Sequence, residues 1–464
     1  MTVPSLASSN LFASPARSDE CSPIILQIRF PWWLNPLWPA GLFIGVFLLS
    51  STASTSGMFS LWRVPRYVDG QYALLASISA LAFLIGLSIN CLRRTPAAVH
   101  MELTGSAIRM LRVCVGVAFW LCLLGYVLWI GLALARGTTA SDFLAVLRFE
   151  DGAIGALKRL SPPVAGVTTF AQLGAVAAPL MVLLRKSGIG GQAKRLTIVV
   201  ALALFRSFFY GERLAIIEVV LPVLIIAIVV TRVGRDTAGT RGLPSSGPRS
   251  RFLLRSVPFL ALPVIWVVFA VFEYSRSWLY YRNVINTSFT EYVSTRLVGY
   301  YATTANNGAL YHGLVADRAH DPYFTFPVLW DAPFAQMLLG DPSVEGGPPR
   351  TWWRIMLENY GNPEFNNEGT FLVTDADLGT AASLVFWLVL GFVVGYVYHR
   401  ARVGSLSAVV AYAVLFLGLV EISRIIYWVQ GRFFPIAIFV VLVAFLLRSS
   451  TRTVERQSVS GATP

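Results

Sequence analysis

Charge is scarce in this chain. Asp, Glu, Lys and Arg make up 13% of its 464 residues, against roughly a quarter in ordinary soluble domains. Lysine is scarcer still: it occurs at Lys158, Lys186 and Lys194, and arginine supplies the rest of the 37 basic residues. The four cysteines, Cys21, Cys91, Cys114 and Cys122, form no C-x-x-C pair. That removes a disulfide-stapled module and a zinc site from consideration. The shortage of charge removes a soluble multidomain enzyme and a disordered scaffold, and no internal repeat is visible. What is abundant is apolar sequence: 55% of residues are hydrophobic and the mean hydropathy is +0.63. The apolar residues come in runs long enough to cross a bilayer several times.

A spanning helix needs about 20 mostly apolar residues. Ten segments meet that description: 38–57, 71–92, 113–135, 164–184, 196–210, 213–231, 253–273, 379–398, 405–423 and 432–448. The expected fold is an all-α polytopic membrane protein of about 10 transmembrane helices. Residues 1–37 read as a disordered cytoplasmic tail with no cleavable signal, 38–273 as helices one to seven, 274–377 as a large extracytoplasmic loop, 378–448 as helices eight to ten, and 449–464 as a second cytoplasmic tail.

Basic residues orient the chain. With the N-terminus inside, the inner segments 1–37, 93–112, 185–195, 232–255, 399–404 and 448–464 hold 21 Lys and Arg against five acids. The rest of the chain holds 16 basic and 19 acidic residues. Every inner loop is cationic, as the positive-inside rule requires. The net charge of +13 is therefore a topology signal, and nucleic acid is not expected as a partner. Two smaller features follow. Phe143, Leu147, Ile154 and Leu157 recur at near-helical spacing in the outer segment 136–163, which reads as a short helix on the membrane surface. Residues 234–250, rich in Gly, Pro, Ser and Arg, read as a cytoplasmic linker.

The large loop holds 19 aromatic residues in 104. Such rings suit sugar C–H faces and equally suit the headgroup region. Its cations are all arginine: Arg276, Arg282, Arg296, Arg318, Arg350 and Arg354. Guanidinium groups there suit a lipid-linked phosphate, or they pair with the loop's own acids. Polar residues crowd two stretches, Gly299–His312 with Asn306 and Asn307, and Asn366–Gly379 with Asn367, Glu368, Thr370, Thr374, Asp375 and Asp377. The Asp-x-Asp pair invites a metal–sugar-nucleotide reading, but sugar nucleotides are cytosolic, and Thr374 or Asp375 as the cap of the eighth helix is the stronger expectation. Ionisable residues also gather at two outer turns: Arg206, Glu212 and Arg213, with Glu218 a turn or two deeper, and then Glu421, Arg424, Tyr427, Gln430 and Arg432. Charges at that depth face a bundle interior and serve a pathway or a site, and mutual pairing is compatible with either.

Three features resemble the O-antigen and oligosaccharide repeat-unit polymerases: the outer turn Gly211-Glu212-Arg213 leading into a helix, the long external loop of the second half, and the stretch from Asn367 through Thr370, Phe371 and Asp377 to Gly379. Gly391, Gly395, Tyr398 and Arg400 extend the resemblance along the next helix, so that it covers roughly residues 200–435, and Leu378 stands where the family carries an aromatic residue. The resemblance implies a polytopic C-type glycosyltransferase of the cell membrane, joining lipid-linked oligosaccharides from a polyprenyl-pyrophosphate donor without metal or cofactor. A partner that sets chain length is compatible with it. On that expectation Arg213 and Arg276 hold the pyrophosphate, with Arg206, Arg282 and Arg424 in reserve. Asp377, or alternatively His312, handles the acceptor proton, and Asn306, Asn307, Asn367 and Glu368 bind sugar hydroxyls. A glycan ligase of the same superfamily would share these features. A flippase for the lipid-linked glycan is the rival of another class, and a scaffold would leave the membrane-embedded Arg and Glu residues without purpose.

Overall fold

The computed structural model describes residues 24–150, 152–164, 166–233, 248–318, 320–332, 337–448 and 451–454, with the side chains at 248–255, 261, 262, 275, 276 and 451–454 excepted. The tail before residue 24, the linker at 234–247 and the tail after 454 lie outside the described residues. Each of the ten apolar segments is helical. The principal helices are α1 (Leu37–Ala53), α2 (Gly70–Cys91), α3 (Gly105–Ala135), α4 (Ala140–Leu147), α5 (Ala153–Leu160), α6 (Gly174–Lys186), α7 (Ala193–Phe209), α8 (Arg213–Val229), α9 (Pro248–Glu273), α10 (Phe289–Val315), α11 (Pro349–Tyr360), α12 (Thr370–Leu378), α13 (Thr380–Arg402), α14 (Leu406–Glu421) and α15 (Phe434–Leu447). Among the described residues, five helical segments are long and apolar enough to cross a membrane: Gly70–Cys91, Gly105–Ala135, Thr168–Lys186, Ser256–Glu273 and Thr380–Arg402. Their outward faces stay apolar, with Leu74, Leu81, Trp120, Val271 and Val389 exposed, which water penalises and lipid does not.

Packing is densest around α6, where every residue from Gly174 to Leu184 is buried, and around the pair α2 and α13. That pair closes through glycine. A Cβ on Gly86 would stand 2.1 Å from the carbonyl oxygen of Leu388, and one on Gly391 would stand 2.2 Å from that of Phe83. Gly391 and Gly395 thus form a small-xxx-small face that lets two backbones touch.

Four expectations need correction. The chain is predominantly helical, consistent with an all-α membrane protein, and adds one small four-stranded antiparallel sheet ordered β3-β1-β2-β4, made of β1 (Ile24–Ile28), β2 (Val99–Leu103), β3 (Val230–Arg232) and β4 (Thr451–Val454). Residues 24–36 are therefore not a disordered tail. Ile24 pairs with Leu103, and Ile28 pairs with both Val99 and Val230. Leu26, Ile28, Val99, Met101 and Leu103 are buried on one face, the period-two burial of a half-covered sheet. The four strands come from segments between or beyond helices, three of them net basic, and the sheet gathers them at one end of the bundle.

The stretch 274–377 is not simply a loop. It contains α10, 27 residues long, packed against α1 and α12. The polar run 299–312 lies inside this helix and is mostly buried. The surface helix expected over 143–157 is two helices, α4 and α5, separated by a turn in which Gly152 adopts φ 76°. Finally, neither Thr374 nor Asp375 caps the helix after Gly379. Both belong to α12, and Gly379, at φ 74°, divides α12 from α13. The Thr374 hydroxyl donates to backbone carbonyls of its own helix and receives the Trp387 indole at 2.8 Å. This contact folds α12 back along the first turns of α13.

Candidate functional site

At the end of the bundle opposite the sheet, the turn between α7 and α8 is tightened by Gly211, at φ 55°. It sets Arg206, Glu212 and Arg213 close together but faces them in two directions. Arg206 Nε donates to Glu212 Oε2 at 2.8 Å, with its guanidinium 5.1 Å from the Trp129 ring centroid. Further along α8, the Glu218 carboxylate accepts from Tyr427 Oη at 3.2 Å and lies 3.6 Å from Arg432 Nη1. These four side chains make a balanced quartet of two guanidiniums and two carboxylates.

Arg213 faces the other way. Its Nη2 lies 3.1 Å from Glu273 Oε1 and donates to Tyr300 Oη at 3.3 Å. Glu273, the last residue of α9, is 0% exposed, and its second oxygen meets Arg296 Nε at 2.7 Å. Arg296 Nη1 reaches Glu364 Oε2 at 2.8 Å, and Tyr281 Oη donates to the other Glu364 oxygen at 2.6 Å. The Tyr300 ring is shared: Arg213 lies 5.3 Å and Arg424 5.7 Å from its centroid. One tyrosine of α10 therefore draws together guanidiniums from two turns more than 200 residues apart in sequence. Arg424 Nη1 donates to Glu421 at 2.9 Å and its Nη2 to Asn367 Oδ1 at 3.3 Å.

Asn367 leads into α12. Asn307 Nδ2 holds this approach by donating to the carbonyls of Phe365 at 2.6 Å and Asn367 at 3.0 Å. Gly369 adopts φ 81°, and a Cβ there would stand 2.4 Å from the carbonyl oxygen of Thr304. Only glycine satisfies both the backbone and the space. Phe371, the second residue of α12, packs on Phe47 and Trp387, so the N-terminus of α12 points into the bundle. Glu368, beside it, makes no hydrogen bond or ion pair among the described residues. Burial pushes its carboxyl up to about 7, with Asp377 and Asp331 adding to the rise and Arg350 opposing it.

The remaining expected residues separate into two groups. His312 is partly open and held by one carboxylate. Its Nε2 lies 2.8 Å from Asp375 Oδ2, and its side chain remains 20% exposed. Asp377 is enclosed. Its side chain is 0% exposed; Oδ1 accepts from Tyr311 Oη at 2.7 Å and faces His320 Nε2 at 3.3 Å, while Oδ2 accepts from both the amide and the hydroxyl of Thr325 at 2.8 Å. A carboxylate so enclosed pins the 320–325 segment to α10 and has no lone pair left for an acceptor, which corrects its assignment as the proton-handling group. Asn306 is likewise a clamp: its oxygen accepts from the amides of Tyr67 and Val68, and its Nδ2 donates to the carbonyl of Pro65. Arg206 is closed within the quartet. The Arg282 side chain is exposed, and the Arg276 side chain lies outside those described. Glu273 and Glu364 went unassigned in the sequence. The acid ending the seventh apolar segment was the available sign of the first, and nothing local marks the second.

Compared with family models, curated proteins and solved structures, the chain matches none.

Proposed function

We propose that this protein is a polytopic glycosyltransferase that joins lipid-linked oligosaccharide units on the extracytoplasmic face of a cell membrane. The reading takes ten passes, both termini cytoplasmic, the sheet inside and the Tyr300 cluster at the outer rim. The gathering of three cationic segments and the N-terminal segment into one sheet favours that orientation, because each strand must then return to the same side. The single observation carrying the chemistry is the convergence of Arg213 and Arg424 on Tyr300, beside Asn367 and the unpaired Glu368.

In this reading Arg213 and Arg424 stabilise charge that develops on a departing diphosphate. The acceptor hydroxyl oxygen bonds to the anomeric carbon of the donor. The bond from that carbon to the phosphate oxygen breaks, and its electron pair leaves on the diphosphate. The hydroxyl proton passes to Glu368, whose carboxyl at about 7 suits a general base working near neutrality. His312, backed by Asp375, orients the acceptor sugar, and Asn307 presents its free amide oxygen to it. Reconstitution of the full chain with a polyprenyl-pyrophosphate oligosaccharide tests the proposal. A ladder of lengthened lipid-linked products is expected. Transfer of an unlengthened glycan to another acceptor would make it a ligase, and movement of the lipid across the bilayer without new bonds would make it a flippase.

A further inference from the structure

The buried end of α12 is a helix terminus without a cap. Position 369 is glycine and brings no side chain, and none other supplies a capping hydrogen bond. The first amides of the helix, at Thr370, Phe371 and Leu372, precede the first intrahelical donor of this end, Val373, which bonds the Gly369 carbonyl. Around them stand polar atoms buried without a partner: Asn367 Nδ2, Thr370 Oγ1 and Arg424 Nε. Thr370 is 2% exposed and Asn367 8%. The other atoms of the same groups are engaged: Arg424 gives Nη1 to Glu421 and Nη2 to Asn367. The guanidinium is therefore fixed in orientation while Nε remains available. Native proteins rarely leave buried donors unmet, and here three occur within one residue cluster. All three can donate, and the helix dipole adds positive potential at the same point.

We infer that the N-terminus of α12, with Asn367, Thr370 and Arg424, is a binding site for a phosphate oxyanion that enters from the rim. Within the function proposed above, on which the choice of ligand rests, the oxyanion is a phosphate of the diphosphate-linked donor. Asn307 Oδ1, an unmet buried acceptor next to the cluster, stays free for the acceptor sugar. Glycine at 369 is part of the device: a side chain there would be strained and would strike α10.

The test uses the purified full chain in detergent at constant ionic strength, with thermal unfolding followed against inorganic pyrophosphate, inorganic phosphate and a short-chain phosphatidylglycerol. Pyrophosphate is expected to raise the unfolding midpoint saturably. Thr370→Val, which keeps the shape and removes one donor, should weaken that effect roughly tenfold. Asn367→Asp, which sets a carboxylate against the anion, should abolish it. Saturation by phosphatidylglycerol alone would identify a lipid headgroup as the source and remove the donor diphosphate. Absence of a saturable shift in the native chain, or an unchanged affinity in both variants, would overturn the inference. A product ladder formed without any pyrophosphate effect would sink this site and spare the function. A pyrophosphate effect without a ladder would do the reverse.

Discussion

Two charged clusters stand at the same end of the bundle, and they differ in completeness. In the quartet of Arg206, Glu212, Glu218 and Arg432, each guanidinium meets a carboxylate, and Tyr427 and Trp129 cover the group. Around Tyr300 the carboxylates Glu273 and Glu421 also answer the arginines, yet Arg424 Nε, Asn367 Nδ2 and Thr370 Oγ1 have no partner. The quartet is a structural joint between α7, α8 and the segment before α15. On the function proposed above, the Tyr300 cluster is a socket. Both use the same residue types, so composition cannot tell them apart, and the difference lies in the unmet donors.

The sharpest break of that contrast is a charge deletion in each cluster. Glu212→Ala strands Arg206, whose side chain is only 6% exposed, and should cost about 3–5 kcal/mol of stability. Adding Arg206→Leu to it should return most of the loss, since apolar replacement of a buried pair is often close to neutral. Unfolding of the single and double variants in detergent checks both statements. In the socket the pattern inverts. Arg213→Ala leaves Glu273 still bound to Arg296 at 2.7 Å, so the fold should survive while product formation falls about 100-fold or more. A correctly inserted variant that made a full ladder would take Arg213 out of the chemistry.

A smaller effect separates Asp377 from the socket. Asp377→Asn puts an amide where Thr325 already offers two donors, and so leaves one donor facing another. A loss of about 1–3 kcal/mol is expected, with the rate per folded molecule little changed. A rate loss matching that of Arg213→Ala, at unchanged stability, would restore Asp377 as the proton-handling residue.

Legibility in the sequence followed physical range. The ten apolar segments were readable because a run of apolar residues reports its own environment, and the helices fall on them to within a few residues, apart from wider offsets at segments three, four and seven. The sheet was not readable: Ile24–Ile28 and Val99–Leu103 alternate over five residues each, too few to stand out beside runs of about 20. Helix α10 was hidden for another reason. Its interior carries Thr303, Thr304, Asn306 and Asn307, and those residues look like a solvated loop until their partners at Pro65, Tyr67, Phe365 and Asn367 are known. The ionisable side chains could be enumerated from the sequence, but which of them pair could not. Arg213 finds Glu273 across 60 positions, and Arg424 finds Asn367 across 57.

The finest distinction is a pH signature of Glu368. Its carboxyl is raised from 4.5 to about 7 in the folded chain. Between those values the unfolded chain has lost the proton and the folded chain still holds it, so stability falls as pH rises through this window and levels off above it. Glu368→Gln should flatten that slope. His320, whose ring is raised above 6.5 chiefly by its hydrogen bond to Asp377, also contributes stability that is lost with rising pH. Its loss begins only around 6.5, and the part of the slope that Glu368→Gln removes between pH 4.5 and 6.5 is the part that belongs to Glu368. Turnover should run the other way: as the proton acceptor, Glu368 works when ionised, and the rate should climb toward a plateau above about pH 7. Unfolding and product formation measured across pH 5 to 8 therefore give opposite trends from one group. A Glu368→Gln variant that kept both profiles would return this residue to the role of an ordinary sugar contact.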